Sequence, residues 1–166
     1  NGEILLHDAS VLEQNFYSYT NPNFPVVNHH WGSGMLFYLF WKYAGFTGVQ
    51  LFFIFLSCAA FLVFLKTARR YAPWGVVGFV ALPAIFLLGD RTEIRPEVFS
   101  YLFAGLFFLV LCRCRESCQG LTVGTSKVSP WRTLWSLPFI QVLWVNTHIY
   151  FLLGPLLIGA FFLESL

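Results

Sequence analysis

Long uncharged runs separated by short charged segments make up most of the chain after its first 45 residues. Phe46–Leu65 has no charge over 20 residues, and Tyr71–Gly89 and the 15-residue run Val98–Cys112 are also uncharged. A bilayer core about 30 Å thick requires about 20 helical residues to cross it. The pattern therefore predicts that these three runs are transmembrane helices.

The next run, 133–163, lacks Asp, Glu, Lys and Arg but is too long for one crossing, because 31 helical residues would span about 46 Å. Its middle carries the polar stretch "WVNTH" at 144–148. We therefore predict two short, tilted helices at about 133–145 and 149–163. The whole pattern predicts an all-α, polytopic transmembrane bundle with about five crossings.

The first 45 residues have a different pattern. "YSYTNPNFP" at 17–25 is rich in turn formers and proline, whereas "WGSGMLFYLFWKYAG" at 31–45 places aromatic residues near helical spacing. This favours an extracytoplasmic loop followed by a short interfacial helix. We divide the chain accordingly into 1–45, the loop and interfacial helix, and 46–166, the transmembrane region.

The charges predict an orientation, because Lys and Arg concentrate in cytoplasmic loops. The segments 66–70 and 113–132 hold seven of the ten basic residues, and the opposite side holds six of the eight acidic ones. This predicts that 1–45, the loop 89–97 and the break 146–148 all face outward.

Composition supports a multi-pass integral membrane protein and excludes a soluble domain of ordinary composition. The chain is 57% hydrophobic and 11% charged, with a mean hydropathy of +0.66. Its net charge of +2 argues against a nucleic-acid partner, and it has no Gly-rich phosphate loop or His-Glu-x-x-His motif.

Cys58 lies in an apolar run, and three further cysteines lie in "CRCRESC" at 112–118. This cluster lacks the fourth ligand and the paired spacing of a zinc site. We interpret the cysteines as reduced thiols on the cytoplasmic side, with metal binding and palmitoylation as alternatives.

Three polar groups are candidates for chemistry. His29 and His30 are suited to acid/base catalysis or to donating to a phosphate, or they simply occupy a wet interface. Arg95 and Glu97 are suited to holding a phosphate and orienting a substrate hydroxyl or a metal, or they belong to a solvated turn. Asn146 and His148 are costly in an apolar run unless they are functional or cap a helical hairpin.

Five segments that follow one another in the same order as in a known family carry a resemblance to it. They are "GEILL" (2–6), "NFYSYTNP" (15–22), "VVNHHW" (26–31), "RPEVFSYLF" (95–103) and "WVNTHIYFLLG" (144–154). Together they resemble the bacterial polytopic glycosyltransferases of the GT-C class, which include lipid-linked-sugar mannosyl- and arabinosyltransferases. Asn15, His30 and Ile149 stand where members commonly have Asp, Glu and Gly.

The resemblance implies a GT-C-like fold and transfer of a sugar from a polyprenyl-phosphate donor to a glycan, lipid or protein acceptor. The reaction would take place at the outer face of the bacterial inner membrane. The resemblance places the principal catalytic acid before Asn1, so we expect the chain to be an internal part of a longer enzyme. No cofactor is implied, and a divalent metal stays open.

From these observations we expect His29 and Glu97 to be catalytic. Substrate binding is expected of Arg95, His30, Arg91, Asn146 and His148. The alternative is a non-catalytic polytopic protein or a transporter segment, in which the same groups cap hairpins or line a solute path. A transporter would favour a pseudo-repeat or charges deep within crossings, and the sequence shows neither.

Overall fold

A computed structural model describes residues 2–13, 19–21, 24–25, 27–28, 30–89, 93–119 and 133–165. Its regular elements in these ranges are all helical, which confirms the predicted all-α class. The α-helices are α1 (Gly2–His7), α2 (Trp31–Ala68), α3 (Trp74–Gly89), α4 (Glu97–Cys118), α5 (Ser136–Thr147) and α6 (Leu153–Glu164). Two short 3₁₀ helices cover Ala9–Leu12 and Ile149–Leu152.

Within the described ranges, two helices are long and apolar enough to cross a bilayer: α2, with 38 residues, and α4, with 22. The other predicted crossings form shorter helices, since α3 has 16 residues and α5 and α6 have 12 each. A single crossing needs about 20 residues, so the length criterion is met by two of the predicted crossings.

Helix α2 bends sharply at Gly45, which joins the predicted interfacial helix to the first predicted crossing. Gly45 has φ 62°, in the left-handed region that glycine adopts without a Cβ penalty. The rings of Phe40 and Phe52 stack with centroids 3.9 Å apart, whereas twelve residues of straight helix would separate them by about 18 Å. Residues 31–44, here called the arm, are therefore folded back onto the rest of α2.

Beyond the bend, α2 lies beside α4 and runs in the same direction. Phe52 contacts Phe99 near the start of α4, with centroids 6.2 Å apart. Midway, Gly105 approaches Phe64 so closely that an added Cβ would lie 3.1 Å from its ring. At the far end Arg70 pairs with Glu116. We call the end of the bundle near Glu97 the histidine end and the end near Glu116 the arginine end.

Helices α5 and α6 form a hairpin that packs on α4. Trp144 is fully buried, and its ring contacts those of Phe103 and Phe107. The chain turns at His148, whose backbone is extended at φ −158° and ψ 146°. The polar break predicted within 133–163 is therefore confirmed, and it places His148 at the histidine end.

Candidate functional site

His30 and His148 lie next to each other at the histidine end. His30 directly precedes the first turn of α2, and His148 occupies the extended position between α5 and the following 3₁₀ helix. Their ring centroids are 5.1 Å apart, with the ring planes tilted by 35°. Two residues predicted separately from the sequence are thus brought together from distant parts of the chain.

The ring of His148 is held by residues that were not predicted from the sequence. Its Nδ1 is 2.7 Å from Oγ of Ser100, and the indole Nε1–H of Trp144 donates to the same Oγ, also at 2.7 Å. Tyr150 packs edge-on against the imidazole, with centroids 4.6 Å apart. Trp144 is 0%, Ser100 2% and His148 4% exposed. The sequence could have indicated Ser100 through one feature, a hydroxyl side chain one turn into a run of apolar residues.

Asn146 ties the arm to the end of α5. Its Oδ1 accepts a hydrogen bond of 3.0 Å from the indole of Trp31, and its Nδ2 donates to the carbonyl of Val142. Gly32 permits this approach, since a Cβ there would lie 2.5 Å from the carbonyl oxygen of Asn146. Asn146 therefore supports the position of the arm, which carries His30, and both of its side-chain polar atoms are engaged.

Arg95 lies in front of α4 and pairs chiefly with Glu93. Its Nε donates to Oε2 of Glu93 at 2.6 Å, whereas its Nη1 is 3.9 Å from Oε1 of Glu97. Glu97, the residue predicted to act together with Arg95, is within ion-pair distance, and Glu93 is the nearer partner. The hydrogen bonds and charge of Glu93 raise the pKa of Arg95 above its ordinary value. Arg95 is 54% exposed and permanently cationic, so an incoming anion can reach it.

Glu97 begins α4 one turn before Ser100. Its carboxylate therefore lies near Arg95 on one side and near the Ser100–His148 contact on the other. It accepts a hydrogen bond of 3.4 Å from Tyr101, and its charge favours protonation of His148. Burial of the imidazole and the charge of His30 act in the opposite sense and are stronger together, so the pKa of His148 is lowered from 6.5. Burial therefore favours the neutral form of the His148 imidazole.

An apolar groove of about 650 Å³ runs between α2 and α3. Phe53, Ser57, Phe61 and Ile85 are among its lining residues. Phe53 and Ser57 also line a small neighbouring cavity of about 30 Å³, whose other walls include Glu93, Arg95 and Glu97. One end of the groove therefore lies beside Glu93, Arg95 and Glu97, at the N-terminal end of α4.

The described residues contain no group of three or more His, Cys, Asp or Glu side chains able to hold a metal ion. All four cysteines are free thiols, and three of them, Cys112, Cys114 and Cys118, lie on α4. Among the described residues, the three cysteines of "CRCRESC" are therefore not part of such a group.

His29 and Arg91 lie outside the described residues, so their roles stay predictions from the sequence. The structure brings His30, Asn146 and His148 together at one end, where Arg95 precedes the adjacent helix α4 and Glu97 begins it. No protein-family model, curated protein or solved structure matches this chain.

Proposed function

We propose that this chain is part of a GT-C-type membrane glycosyltransferase. It would transfer a sugar from a polyprenyl-phosphate donor to an acceptor at the outer face of a bacterial plasma membrane. The observation that carries the proposal is the meeting of His30 with His148, 5.1 Å between centroids. These residues belong to two of the segments on which the family resemblance rests, and they share one end of the bundle with Arg95 and Glu97.

A bilayer around the bundle is supported by its surface. Large apolar side chains are exposed on several helices, including Phe55 on α2, Phe79 and Phe86 on α3 and Phe139 on α5. Exposure of so many large apolar side chains is typical of a surface that meets lipid or another protein. We propose lipid, because α2 and α4 have the length and composition of transmembrane helices.

The proposed orientation places the histidine end outside and the arginine end in the cytoplasm. Arg69 and Arg70 follow α2, and Arg113 and Arg115 lie in the last turns of α4. The positive-inside rule assigns this basic end to the cytoplasm. A lipid-linked donor would then enter the site from the outer leaflet.

The groove between α2 and α3 suits the polyprenyl chain of the donor, and Arg95 suits its phosphate. The groove is apolar along Phe53, Phe61 and Ile85, and it ends at the cavity bounded by Arg95. A guanidinium binds phosphate oxygens through paired N–H donors. Because Glu93 already occupies the Nε side of Arg95, the phosphate would share the guanidinium with Glu93 or displace it.

In the proposed reaction the acceptor hydroxyl oxygen forms a bond to the anomeric carbon of the sugar. The bond from that carbon to the phosphate oxygen breaks, the polyprenyl phosphate leaves with the electron pair, and a base takes the hydroxyl proton. Arg95 would stabilise the negative charge on the leaving phosphate. Glu97 and His29 are the proposed proton acceptors or orienting groups in this chain, and His30, His148 and Arg91 the proposed contacts to the sugar or acceptor.

The test is sugar transfer by the full-length protein that contains this chain, reconstituted in lipid, with polyprenyl-phosphate hexoses and pentoses as donors. We expect release of polyprenyl phosphate, with at least about a tenfold loss in Arg95→Ala and His148→Ala, since about 1.4 kcal/mol of lost stabilisation is tenfold in rate. Lys66→Ala, exposed near the arginine end, is the matched control for loss of a cation. Wild-type release in both site variants, or solute flux without sugar transfer, would overturn the proposal.

A further inference from the structure

The contacts of Ser100 determine which nitrogen of His148 carries the proton. An indole Nε1–H only donates, so Ser100 Oγ accepts the hydrogen bond from Trp144. The hydroxyl still has one proton to donate. The other polar atom at 2.7 Å from Oγ is Nδ1 of His148, which accepts that proton only when it is itself unprotonated.

The opposite assignment leaves a buried hydroxyl proton without an acceptor. If Nδ1 of His148 carried the proton, Ser100 Oγ would accept twice, and its own proton would need a third partner. The described residues supply no such partner, and Ser100 is 2% exposed. Buried donors without a partner are costly and rare, so the order Trp144→Ser100→His148 is the favourable one.

With Nδ1 engaged as an acceptor, the proton of neutral His148 resides on Nε2. No described residue accepts a hydrogen bond from that Nε2–H. The neighbouring imidazole also has an unused atom, because Nδ1 of His30 is enclosed and has no hydrogen-bond partner among the described residues. Two unengaged ring nitrogens, on rings 5.1 Å apart, therefore occur at the same place.

We propose that Trp144 and Ser100 are positioning residues that hold His148 as the neutral Nε2–H tautomer, so that it donates one hydrogen bond to a substrate oxygen. The acceptor is a phosphate or sugar oxygen bound beside His30. The identity of that oxygen rests on the proposed function, whereas the tautomer follows from the contacts of Ser100 alone. An imidazole fixed in this way needs no reorientation when the ligand arrives.

The tautomer is tested by nitrogen NMR on protein labelled with ¹⁵N-histidine, with the His148 signals identified by their absence in His148→Gln. We expect an unprotonated Nδ1 and a protonated Nε2 at neutral pH. Ser100→Ala removes the donor to Nδ1, so its spectrum should show a mixture of tautomers. Ser57→Ala is the matched control, because the Ser57 hydroxyl donates within its own helix to the Phe53 carbonyl. A protonated Nδ1 in the wild type, or an unchanged tautomer in Ser100→Ala, would overturn the proposal.

The role of the Nε2–H is tested by two amide replacements of His148. A glutamine amide nitrogen reaches the position of Nε2, whereas an asparagine amide nitrogen reaches that of Nδ1. If Nε2–H contacts the substrate, His148→Gln retains donor binding and sugar transfer within about threefold, and His148→Asn loses at least about tenfold. Equal losses in the two variants, with unfolding temperatures matching each other, would show that only packing of the ring matters and would overturn the substrate contact.

The two experiments separate failure of the inference from failure of the proposed function. The NMR measurement needs no substrate and reports the tautomer whether or not the protein transfers sugar. If the Nε2–H tautomer is found and no polyprenyl-phosphate sugar is used by the wild type, the proposed function fails and the positioning role of Ser100 and Trp144 stands.

Discussion

The indole nitrogen of Trp31 donates a hydrogen bond of 3.0 Å to Oδ1 of Asn146, a residue 115 positions further along the chain. This contact joins the arm to the end of α5 and thereby sets the positions of both histidines, since His30 precedes Trp31 and His148 follows Asn146 by two residues. The candidate site thus depends on tertiary contacts between elements that are far apart in sequence.

Replacing Trp31 with Phe should destabilise the protein by about 1–3 kcal/mol, because it leaves a partly buried amide oxygen without its donor. Thermal unfolding in detergent measures the loss. Trp135→Phe is the matched control, since Trp135 is 70% exposed on the surface. Equal unfolding temperatures for the two variants would mean that the Trp31–Asn146 contact does not anchor the arm.

Gly32→Ala should separate the arm from α5. The new Cβ would lie 2.5 Å from the carbonyl oxygen of Asn146, and backbone cannot yield as a flexible side chain does. We expect a loss of about 1–3 kcal/mol in stability. Gly78→Ala is the control, because a Cβ there meets nothing within 4 Å and alanine gains about 1 kcal/mol in a helix. Stabilisation by both substitutions would contradict the close packing of the arm.

Acidification should weaken the fold through His148. Its pKa in the folded protein lies below the ordinary 6.5 because burial and the charge of His30 outweigh the attraction of Glu97. The unfolded chain therefore binds a proton at His148 more readily than the folded protein does. The contribution of His148 to the free energy of unfolding is complete above pH 6.5 and is lost as pH falls through the folded pKa. Unfolding free energies of the wild type and His148→Gln between about pH 5 and 8 measure this. A wild-type slope no steeper than that of the variant would show that His148 is not responsible.

Glu116→Gln should loosen the arginine end. The Glu116 carboxylate is 11% exposed and takes paired hydrogen bonds from Arg70, so its neutralisation leaves the guanidinium without its counter-charge. We expect a loss of about 1–3 kcal/mol. Lys66→Gln removes an exposed charge near the same end, where exposed charges contribute about 0–1 kcal/mol. Similar unfolding temperatures for the two variants would indicate that the Arg70–Glu116 pair does not stabilise the packing of α2 on α4.

The proposed orientation predicts a labelling pattern for single cysteines placed in a background without the four native ones. A membrane-impermeant thiol reagent applied from outside should label Thr20→Cys and Glu93→Cys and leave Thr125→Cys unlabelled until the membrane is permeabilised. The reverse pattern would overturn the orientation and, with it, the outward-facing site.

The hydropathy pattern predicted the helical class and the break at His148, because uncharged runs and polar interruptions are properties of the chain itself. It did not predict which side of α4 meets α5. Helices that are apolar on every face give no rotational preference, so the pairing of Ser100 with His148 and Trp144 required coordinates. The bend at Gly45 was equally hidden, since one glycine among 13 does not reveal its φ angle.

Only part of the candidate site could be predicted from the sequence, because its tertiary contacts also required coordinates. The order of the five motifs along the chain and the predicted outward-facing side of the membrane indicated that His30, Asn146 and His148 belong to one end of the bundle. Glu97, which was predicted to act with Arg95, lies within ion-pair distance of it, and Glu93 lies nearer. The sequence could not rank the two carboxylates, because both lie two residues from Arg95 and the turn before α4 decides which one the guanidinium faces.

Because the arm folds back at Gly45, the number of residues between Gly45 and His30 fixes where Trp31 and His30 lie and which way they face. From Gly45 back to Trp31 the chain is helical, so removing or adding one residue would rotate Trp31 and His30 by about 100° around the arm axis and shift them by about 1.5 Å. Trp31 would then turn away from Asn146, and His30 from His148. We therefore expect the spacing between Gly45 and His30 to tolerate substitution far better than insertion or deletion.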